Sequence, residues 1–392
     1  MRSKIILIGN YKPDNQYSML IFEALMVEGY TKLNLNVNVI RPHKIFGRIS
    51  FNKLSLLKWF GYLDKFLLFP MQILFFRLKN WLLFNEIHYH ICDHSNAFYL
   101  YFLPQKDAII TCHDVLAIRA GLGYTDTYCS TTNSGKVLQK IIINALSKAK
   151  KLAAVSEFTL NQINEIDTQP NLKKKWICIH NALSAKFQPM IESEIQEVLK
   201  RLTPLFDKPF ILHIGSDLER KNRRLLVKMV YELQNEWDGL LVLAGEPLNS
   251  ENFELIEKLN LTDRVIHVHY PTDTEIIALY SKCEAMIFPS FSEGFGWPII
   301  EAQACGAPVI TSNKAPMMDE VGGKAALYAD PDDALSFANE FRKFYNKEFR
   351  NEVISLGYRN TKRFNFENTV SQYVEFGVCN AYVDTNDLEI LD

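Results

Sequence analysis

The sequence predicts an α/β protein built from two doubly wound parallel-sheet domains facing each other across a cleft. Three observations carry this expectation. Short apolar runs alternate with helix-patterned runs along the chain, as they do where parallel strands are covered on both faces. The alternation stops and restarts around residues 184–210. The 392 residues also fit two or three domains, at roughly 150 residues each, so each half can bury a core of its own.

The first half opens on a strand at Ile5–Ile8, inside MRSKIILIGNYK; its apolar run ends at Gly9, too soon for the core of a secretory leader. A polar loop, GNYKPDNQYS, leads into a helix-patterned run from Met19 to Glu28. Asn36–Ile40, Ile87–Ile91, Ala108–Cys112, Lys151–Val155 and Trp176–His180 read as further strands, each short, apolar and followed by polar or turn residues. KFQPM, a charged helix at Glu192–Arg201 and LTPLFDKP mark the reset, which places a first domain at 1–190 and a second at 191–365. PFILHIG starts the new series, followed by strands at Leu240–Ala244, Val265–Val268, Ala285–Pro289 and Pro308–Thr311.

Composition excludes several classes. A net charge of -2 provides no overall basic field for nucleic acid. The seven cysteines are scattered and never spaced CxxC, which argues against a disulfide framework or a zinc site and for a cytoplasmic protein. Residues 51–84, FNKLSLLKWFGYLDKFLLFPMQILFFRLKNWLLF, carry basic and aromatic side chains with one acid, Asp64. The uncharged stretch from Phe66 to Phe76, interrupted by Pro70, falls far short of the ~20 residues of a spanning helix. Interleaving of this kind suits peripheral contact with an anionic membrane at its inner face.

Two constellations carry chemistry. In ILHIGSDLERKNRRLLVKMV, a strand runs into Gly215 and Ser216, then a short polar loop, then an apolar helix. Arg220 and Lys221 lie near the helix start, where free N–H groups and the helix dipole favour an anion; a planar fork beside a point charge suits a diphosphate. In SFSEGFGWPIIEAQACGAPVI, a strand ends in a glycine-rich turn and a helix begins near Pro298. Glu293 on the loop can hold sugar hydroxyls, Glu301 on the helix can accept both hydroxyls of a ribose, and the amides of Phe295, Gly296 and Trp297 would face the cleft. His88, His90 and His94, and His267 and His269, could suggest a metal, but acids to complete a site are not arranged nearby.

The run from Arg264 to Asp333 resembles the donor-binding core of glycosyltransferase family 4: the glutamate pair, the EGFG turn, GAPVI and EVGG stand in the family's order, and GSDLERKN is similar to its phosphate loop. The likeness covers nearly all of residues 208–335. IITCHDVLAIR resembles the family's strand ending in a histidine that faces the donor sugar, which maps to His113. AVSEFT and CIHNALSAKFQP, with Ser156 and Asn181, resemble segments leading to the interdomain linker, and GYRNTKRFNFENTVSQYVEF resembles the helix that crosses back, so 366–392 would complete the first domain. The first loop departs from the family, with only Gly9 where adjacent glycines are usual; Tyr11, Gln16, Tyr17 and Ser18 are acceptor-side candidates.

The resemblance implies a GT-B fold of two Rossmann-like domains and metal-independent, retaining transfer of a hexose, with no cofactor. The expected donor is UDP-glucose, with GDP-mannose second, and the acceptor a glycan or lipid-linked hydroxyl in polysaccharide biosynthesis. Arg220, Lys221, Glu293 and His113 would serve the reaction; Gly215, Ser216, Phe295, Gly296, Trp297 and Glu301 would bind the donor. A nucleotide-sugar epimerase on the same architecture is the alternative.

Overall fold

In the computed structural model, residues 4–48, 54–82, 86–202 and 208–378 are described. They form two six-stranded parallel sheets. The first contains β1 (Lys4–Ile8), β2 (Asn36–Ile40), β3 (Ile87–Ile91), β4 (Ala108–Cys112), β5 (Lys151–Ala154) and β6 (Lys175–Cys178), in the order β2-β1-β3-β4-β5-β6. The second contains β7 (Phe210–Gly215), β8 (Leu240–Gly245), β9 (Val265–His269), β10 (Ala285–Phe288), β11 (Val309–Ser312) and β12 (Leu327–Ala329), in the order β12-β11-β10-β7-β8-β9. Sequence periodicity located eleven of these strands to within two residues and missed β12, whose three residues are too few to show a period.

The strand orders place the functional surface. Each sheet reverses direction once, between β1 and β3 in the first and between β7 and β10 in the second. Ligands of doubly wound sheets bind beyond the carboxyl ends of the strands at such a reversal. Residues 9–16 and 92–96 therefore form one candidate wall, and residues 215–222 and 289–296 the other.

Helix Phe366–Tyr373 lies on the first sheet: Phe366, Val370 and Tyr373 are buried with Ile5, Leu7 and Phe22. The Tyr373 hydroxyl lies 3.0 Å from Thr111 Oγ1 on β4. Helix Glu192–Leu202 instead buries Ile195 and Leu199 in the core of the second sheet. Residues 379–392, which the expected first domain includes, lie outside the described residues, as do 51–53 and 83–84 of the basic aromatic segment.

That segment forms one helical run, Leu54–Leu63, Asp64–Leu68 and Phe69–Leu82. Pro70 does not break it. A proline has no N–H for the carbonyl four residues back, and the middle stretch is π-helical, with Phe69 N bonded to Asp64 O, so the ladder steps over the missing donor. The Asp64 carboxylate accepts hydrogen bonds from the amides of Ile45, Phe46 and Gly47 and from the Tyr11 hydroxyl, and fixes the run to the loop after β2.

The two domains meet at Gly294. Its carbonyl accepts from Ser156 Oγ (2.7 Å) and Thr159 Oγ1 (3.1 Å), and a Cβ at this position would sit 1.8 Å from the His113 carbonyl oxygen. A second clasp is Glu320, which accepts from the amides of Glu157 and Phe158 at the start of helix Glu157–Glu165 and pairs with His180 Nε2 at 3.2 Å. Trp297 Nε1 donates to Ala182 O in the linker (3.0 Å). Only a residue without a side chain fits between the domains here, so Gly294→Ala is expected to force the cleft apart. Small-angle scattering should show a larger radius of gyration, and the melting free energy should fall by about 1–3 kcal/mol, the usual cost of overpacking; an unchanged scattering curve would contradict this reading.

Candidate active site

The carboxyl ends of β7 and β10 are stitched together before any charge is considered. Phe291 N donates to Arg220 O (2.8 Å), and Asn222 Nδ2 donates to the carbonyls of Pro289 (3.2 Å) and Pro331 (2.7 Å). Gly215 ends β7 at φ 157°, where a side chain is disfavoured. Arg223, fully buried, donates to Gly215 O and to Glu246 O (2.7 Å), tying the ends of β7 and β8. Sequence analysis passed over Arg223 inside RKNRR; only its burial separates it from the solvated Arg224.

On this frame the 3₁₀ turn Glu219–Lys221 presents two cations to one acid. Arg220 Nη1 lies 2.7 Å and Lys221 Nζ 2.6 Å from the two oxygens of Glu293. All three are largely buried. Burial alone would raise the Glu293 carboxyl, but Arg220 and Lys221 outweigh it and hold it at about 2. Glu293 in turn pushes the Arg220 guanidinium up, against burial. Lys221 moves down: its burial, with Arg220 beside it, exceeds the help from Glu293. The pocket read as a diphosphate site thus already holds an anionic group, the protein's own carboxylate. One buried polar atom at this end of the sheet, His213 Nε2, has no hydrogen-bond partner. His213 Nδ1 faces Ile287 O at 3.0 Å, which directs its other nitrogen toward Gly215.

Glu301 stands apart from this cluster, half-buried on helix Trp297–Ala304. The Tyr280 hydroxyl donates to it at 3.2 Å, and no cation pairs with it among the described residues. Burial therefore raises its carboxyl to about 7 despite the Tyr280 bond. Of the other residues singled out from sequence, Ser216 is half-buried beside Gly215; Phe295 turns into the core; Gly296, at φ 110°, precedes the helix; and the Trp297 indole serves the linker.

Across the cleft His113 directly follows β4 and is buried, which lowers its imidazole below the ordinary value and keeps it neutral at ordinary pH. Nε2 lies 2.9 Å from Cys92 O, an acceptor, so Nε2 carries the proton and Nδ1 presents a lone pair. Around it the first sheet's reversal gathers a network that sequence reading missed. Asn10 donates to Asp93 Oδ2 (2.5 Å) and to Gln16 Oε1, and Asn96 donates to Asn10 Oδ1 (2.7 Å). The Asp93 carboxyl is buried, yet His94 and hydrogen bonds from Ser95 hold it below the usual range. The available signal was position: Asn10 directly follows Gly9 beyond β1, and Asp93 follows Cys92 beyond β3. Gln16 joins this network. Tyr11 does not, since its hydroxyl is committed to Asp64, and Tyr17 and Ser18 are exposed at the start of helix Tyr17–Lys32.

The histidine groups raised as metal ligands have other partners or none suited to the task. His90 bonds Tyr30 and Thr111, and His267 bonds His269 and Glu246 O. His88 is buried, neither of its nitrogens makes a hydrogen bond, and Nε2 lies 3.9 Å from the Glu86 carboxylate. The one group of possible ligands within reach of one another among the described residues is Cys178, His180 and Glu320, where the Glu320 oxygens already accept from two amides and His180. No helix among the described residues is long and apolar enough to cross a membrane.

Residues 195–362 match the family model of the group 1 glycosyl transferases. Over this span, 43% of the chain, the sequence is similar to these glycosyltransferases. The match agrees with the resemblance to glycosyltransferase family 4, and its span contains Arg220, Lys221, Glu293 and Glu301. O-antigen chain mannosyltransferase B of Escherichia coli is similar at 27% identity over 290 residues, covering 72% of each protein. Other O-antigen mannosyltransferases are spanned over less than half of their length. Sucrose-phosphate synthase from Thermosynechococcus elongatus superposes with a TM-score of 0.74 at 18% identity, covering 95% of this chain and 98% of that one. Anabaena HepE, in complex with UDP and glucose, superposes at 0.70 with 14% identity, with the same two coverages. The superpositions establish the two-domain GT-B fold.

Because Glu293 occupies both Arg220 and Lys221, an anion arriving at these cations would have to displace it. Glu293→Gln is expected to lower the melting temperature without ligand, since unpairing buried charges costs about 3–5 kcal/mol. The same variant should bind inorganic pyrophosphate more tightly than wild type by calorimetry. Weaker pyrophosphate binding in the variant would mean that Glu293 does not compete.

Proposed function

We propose that this glycosyltransferase moves a hexosyl unit from a nucleoside diphosphate sugar to a hydroxyl of a glycan or lipid-linked acceptor in polysaccharide biosynthesis, with retention at the anomeric carbon. The observation that carries the reading is the pair of buried cations, Arg220 and Lys221, converging on a single carboxylate at the reversal of the second sheet. A site that stabilises a carboxylate between two cations can stabilise a departing diphosphate. Fixed charges aimed at the charge that develops usually make the largest contribution to such a reaction.

The steps follow from the residues. The donor diphosphate takes the Arg220 and Lys221 contacts, and Glu293 is released toward the sugar, where it accepts hydroxyls and favours positive character at the anomeric carbon. The bond between that carbon and the phosphate oxygen breaks, and the electron pair leaves with the diphosphate. The acceptor oxygen forms the new bond on the same face, and its proton passes to the leaving phosphate oxygen. His113, neutral, accepts a hydroxyl of the sugar at Nδ1 and holds no proton for the reaction. Glu301 accepts the ribose hydroxyls. Two protein cations stand where a metal would neutralise the diphosphate, so turnover should be unaffected by EDTA.

For the transferred sugar, the mannosyltransferase relatives favour mannose, which brings GDP-mannose ahead of the UDP-glucose expected from sequence alone. UDP-glucose is the second reading, supported by the family resemblance. Thermal scanning against GDP-, UDP- and ADP-sugars separates them, because a ligand at a hundred times its dissociation constant adds about 2.7 kcal/mol. A shift with GDP-mannose and none with UDP-glucose is expected; the reverse would restore glucose, and no shift with any nucleotide sugar would remove the reading altogether. Lys221→Ala should reduce kcat about a hundredfold.

The pH dependence has a defined sign. The Glu301 carboxyl, raised to about 7, is increasingly protonated below that pH in the free protein and then cannot accept two ribose hydroxyls. Donor affinity should fall about tenfold per pH unit below 7, and the slope should vanish in Glu301→Gln. A flat calorimetric profile for wild type from pH 5 to 7 would rule out this role for Glu301.

A further inference from the structure

We infer that the outer face of the helical run 54–82 docks on an anionic lipid bilayer, from which the enzyme draws an acceptor carried on a lipid. The inference rests on the transferase reading for the acceptor, and on the structure for the surface. Trp59, Leu67, Met71, Phe75, Leu78 and Trp81 lie along this run, all exposed; Phe75 and Trp81 are each 72% accessible and Trp59 63%. Large apolar residues displayed in a line, rather than singly, mark an interaction surface.

The line is a consequence of the backbone. Residues 59, 63, 67, 71 and 75 step by four, and in a regular α-helix each such step drifts ~40° around the axis. The π-helical stretch Asp64–Leu68 has more residues per turn and takes back part of that drift, so the apolar face stays on one side. The opposite side is already packed. Phe69 and Ile73 are buried in the first domain's core, the Phe66 ring meets Phe98, and Arg77 donates to Phe102 O. The exposed face is therefore not awaiting a partner within the fold.

Charge selects the occupant. The one carboxylate of the run, Asp64, is buried and fully engaged, so no acid lies on the outer face. Lys79 is exposed among the apolar residues, flanked by Phe75, Leu78 and Leu82. The same domain also exposes Lys148, Lys150 and Lys173, grouped around Leu172. Tryptophans near both ends of an apolar stripe, with a lysine among its exposed residues and no acid, match the interface of a bilayer with anionic headgroups. A second copy of the chain would bring the same lysine against its own like charge.

The position also serves the reaction. The first part of the run is fixed through Asp64 to Tyr11, which follows Asn10 at the reversal of the first sheet. A bilayer against the outer face therefore lies beside the wall of the cleft that contains Asn10, Gln16, Asn96 and His113, so a sugar hydroxyl on a lipid carrier reaches that wall without leaving the membrane surface.

The test is co-sedimentation of the full chain with vesicles of phosphatidylcholine alone or with 30 mol% phosphatidylglycerol, about the anionic content that gives a surface potential able to attract lysines. Wild type should pellet with the anionic vesicles, release on added salt, and show a blue shift in tryptophan emission on binding. Phe75→Glu and Leu78→Glu should each weaken binding at least tenfold. Both positions are solvent-exposed, and an unchanged nucleotide-induced melting shift verifies that the variants are folded. Three outcomes would overturn the inference: pelleting no greater with anionic than with neutral vesicles, pelleting unaffected by both substitutions, or a dimer in light scattering that Leu78→Glu dissociates while vesicles are ignored. Vesicle binding needs no nucleotide, so its failure is distinct from a failure of the transferase reading, which is read from the nucleotide shift alone.

Discussion

The arrangement of the second domain depends on the Glu293 carboxylate lying between Arg220 and Lys221. Two cations this close and this buried repel each other and have both lost water, which is why Lys221 is pushed down while Glu293 is held at about 2. The anion between them makes the geometry tenable. It also sets the register of two loops separated by more than seventy residues in sequence, since the hydrogen bonds of Asn222 and Phe291 bring them together along the same seam. The loops are in effect folded around an anion that the protein supplies for itself.

The neighbouring residue links this electrostatic centre to the other domain. Gly294 O accepts the hydroxyls of Ser156 and Thr159, while a side chain at 294 would strike the His113 carbonyl. The residue that neutralises the cations and the residue that seats the first domain are consecutive on the chain. Any displacement of Glu293 by a diphosphate therefore acts on the backbone that holds the cleft closed. The Glu320 clasp grips the same first turn of helix Glu157–Glu165 from a different segment of the second domain, so it can keep the domains registered while the Gly294 seam adjusts.

How much of this was legible in sequence follows from the physics of each part. Strands of a parallel sheet covered on both faces are uninterrupted apolar runs, so β1 to β11 could be located from short windows, whereas β12, LYA, is shorter than the period it would have to display. The residues of the cation site were found because charge at a strand-to-helix turn has few structural uses. Its pairing was not, because nothing local in SFSEGFG shows whether Glu293 faces a ligand or a lysine far away in sequence. Tyr11, an acceptor-side candidate from its place in the first loop, is buried with its hydroxyl on Asp64, an acid inside a segment whose pattern announces only apolar character. That segment's exposed face was likewise illegible, since a helix apolar nearly all round gives no sign of which side the fold covers.

The two facing walls differ in kind, and the difference suits the two halves of the reaction. The donor wall is built from full charges in low dielectric, which is what a diphosphate gaining charge requires. On the facing wall the amides of Asn10 and Asn96 and a neutral imidazole gather around Asp93, whose oxygens are taken by Asn10 and Ser95, while the nearby carboxylates of Asp14 and Glu23 are paired with Lys65 and Arg41. Hydroxyls are recognised by groups that both donate and accept without imposing charge, and Asn10, Gln16, Asn96 and His113 supply such groups. A free cation on that wall would bind the diphosphate in the wrong place; a free carboxylate would repel it. On the proposed function, the buried cations beside β7 would draw the diphosphate of the donor to that side and leave its sugar toward His113, with the facing wall open to a hydroxyl of a neutral glycan.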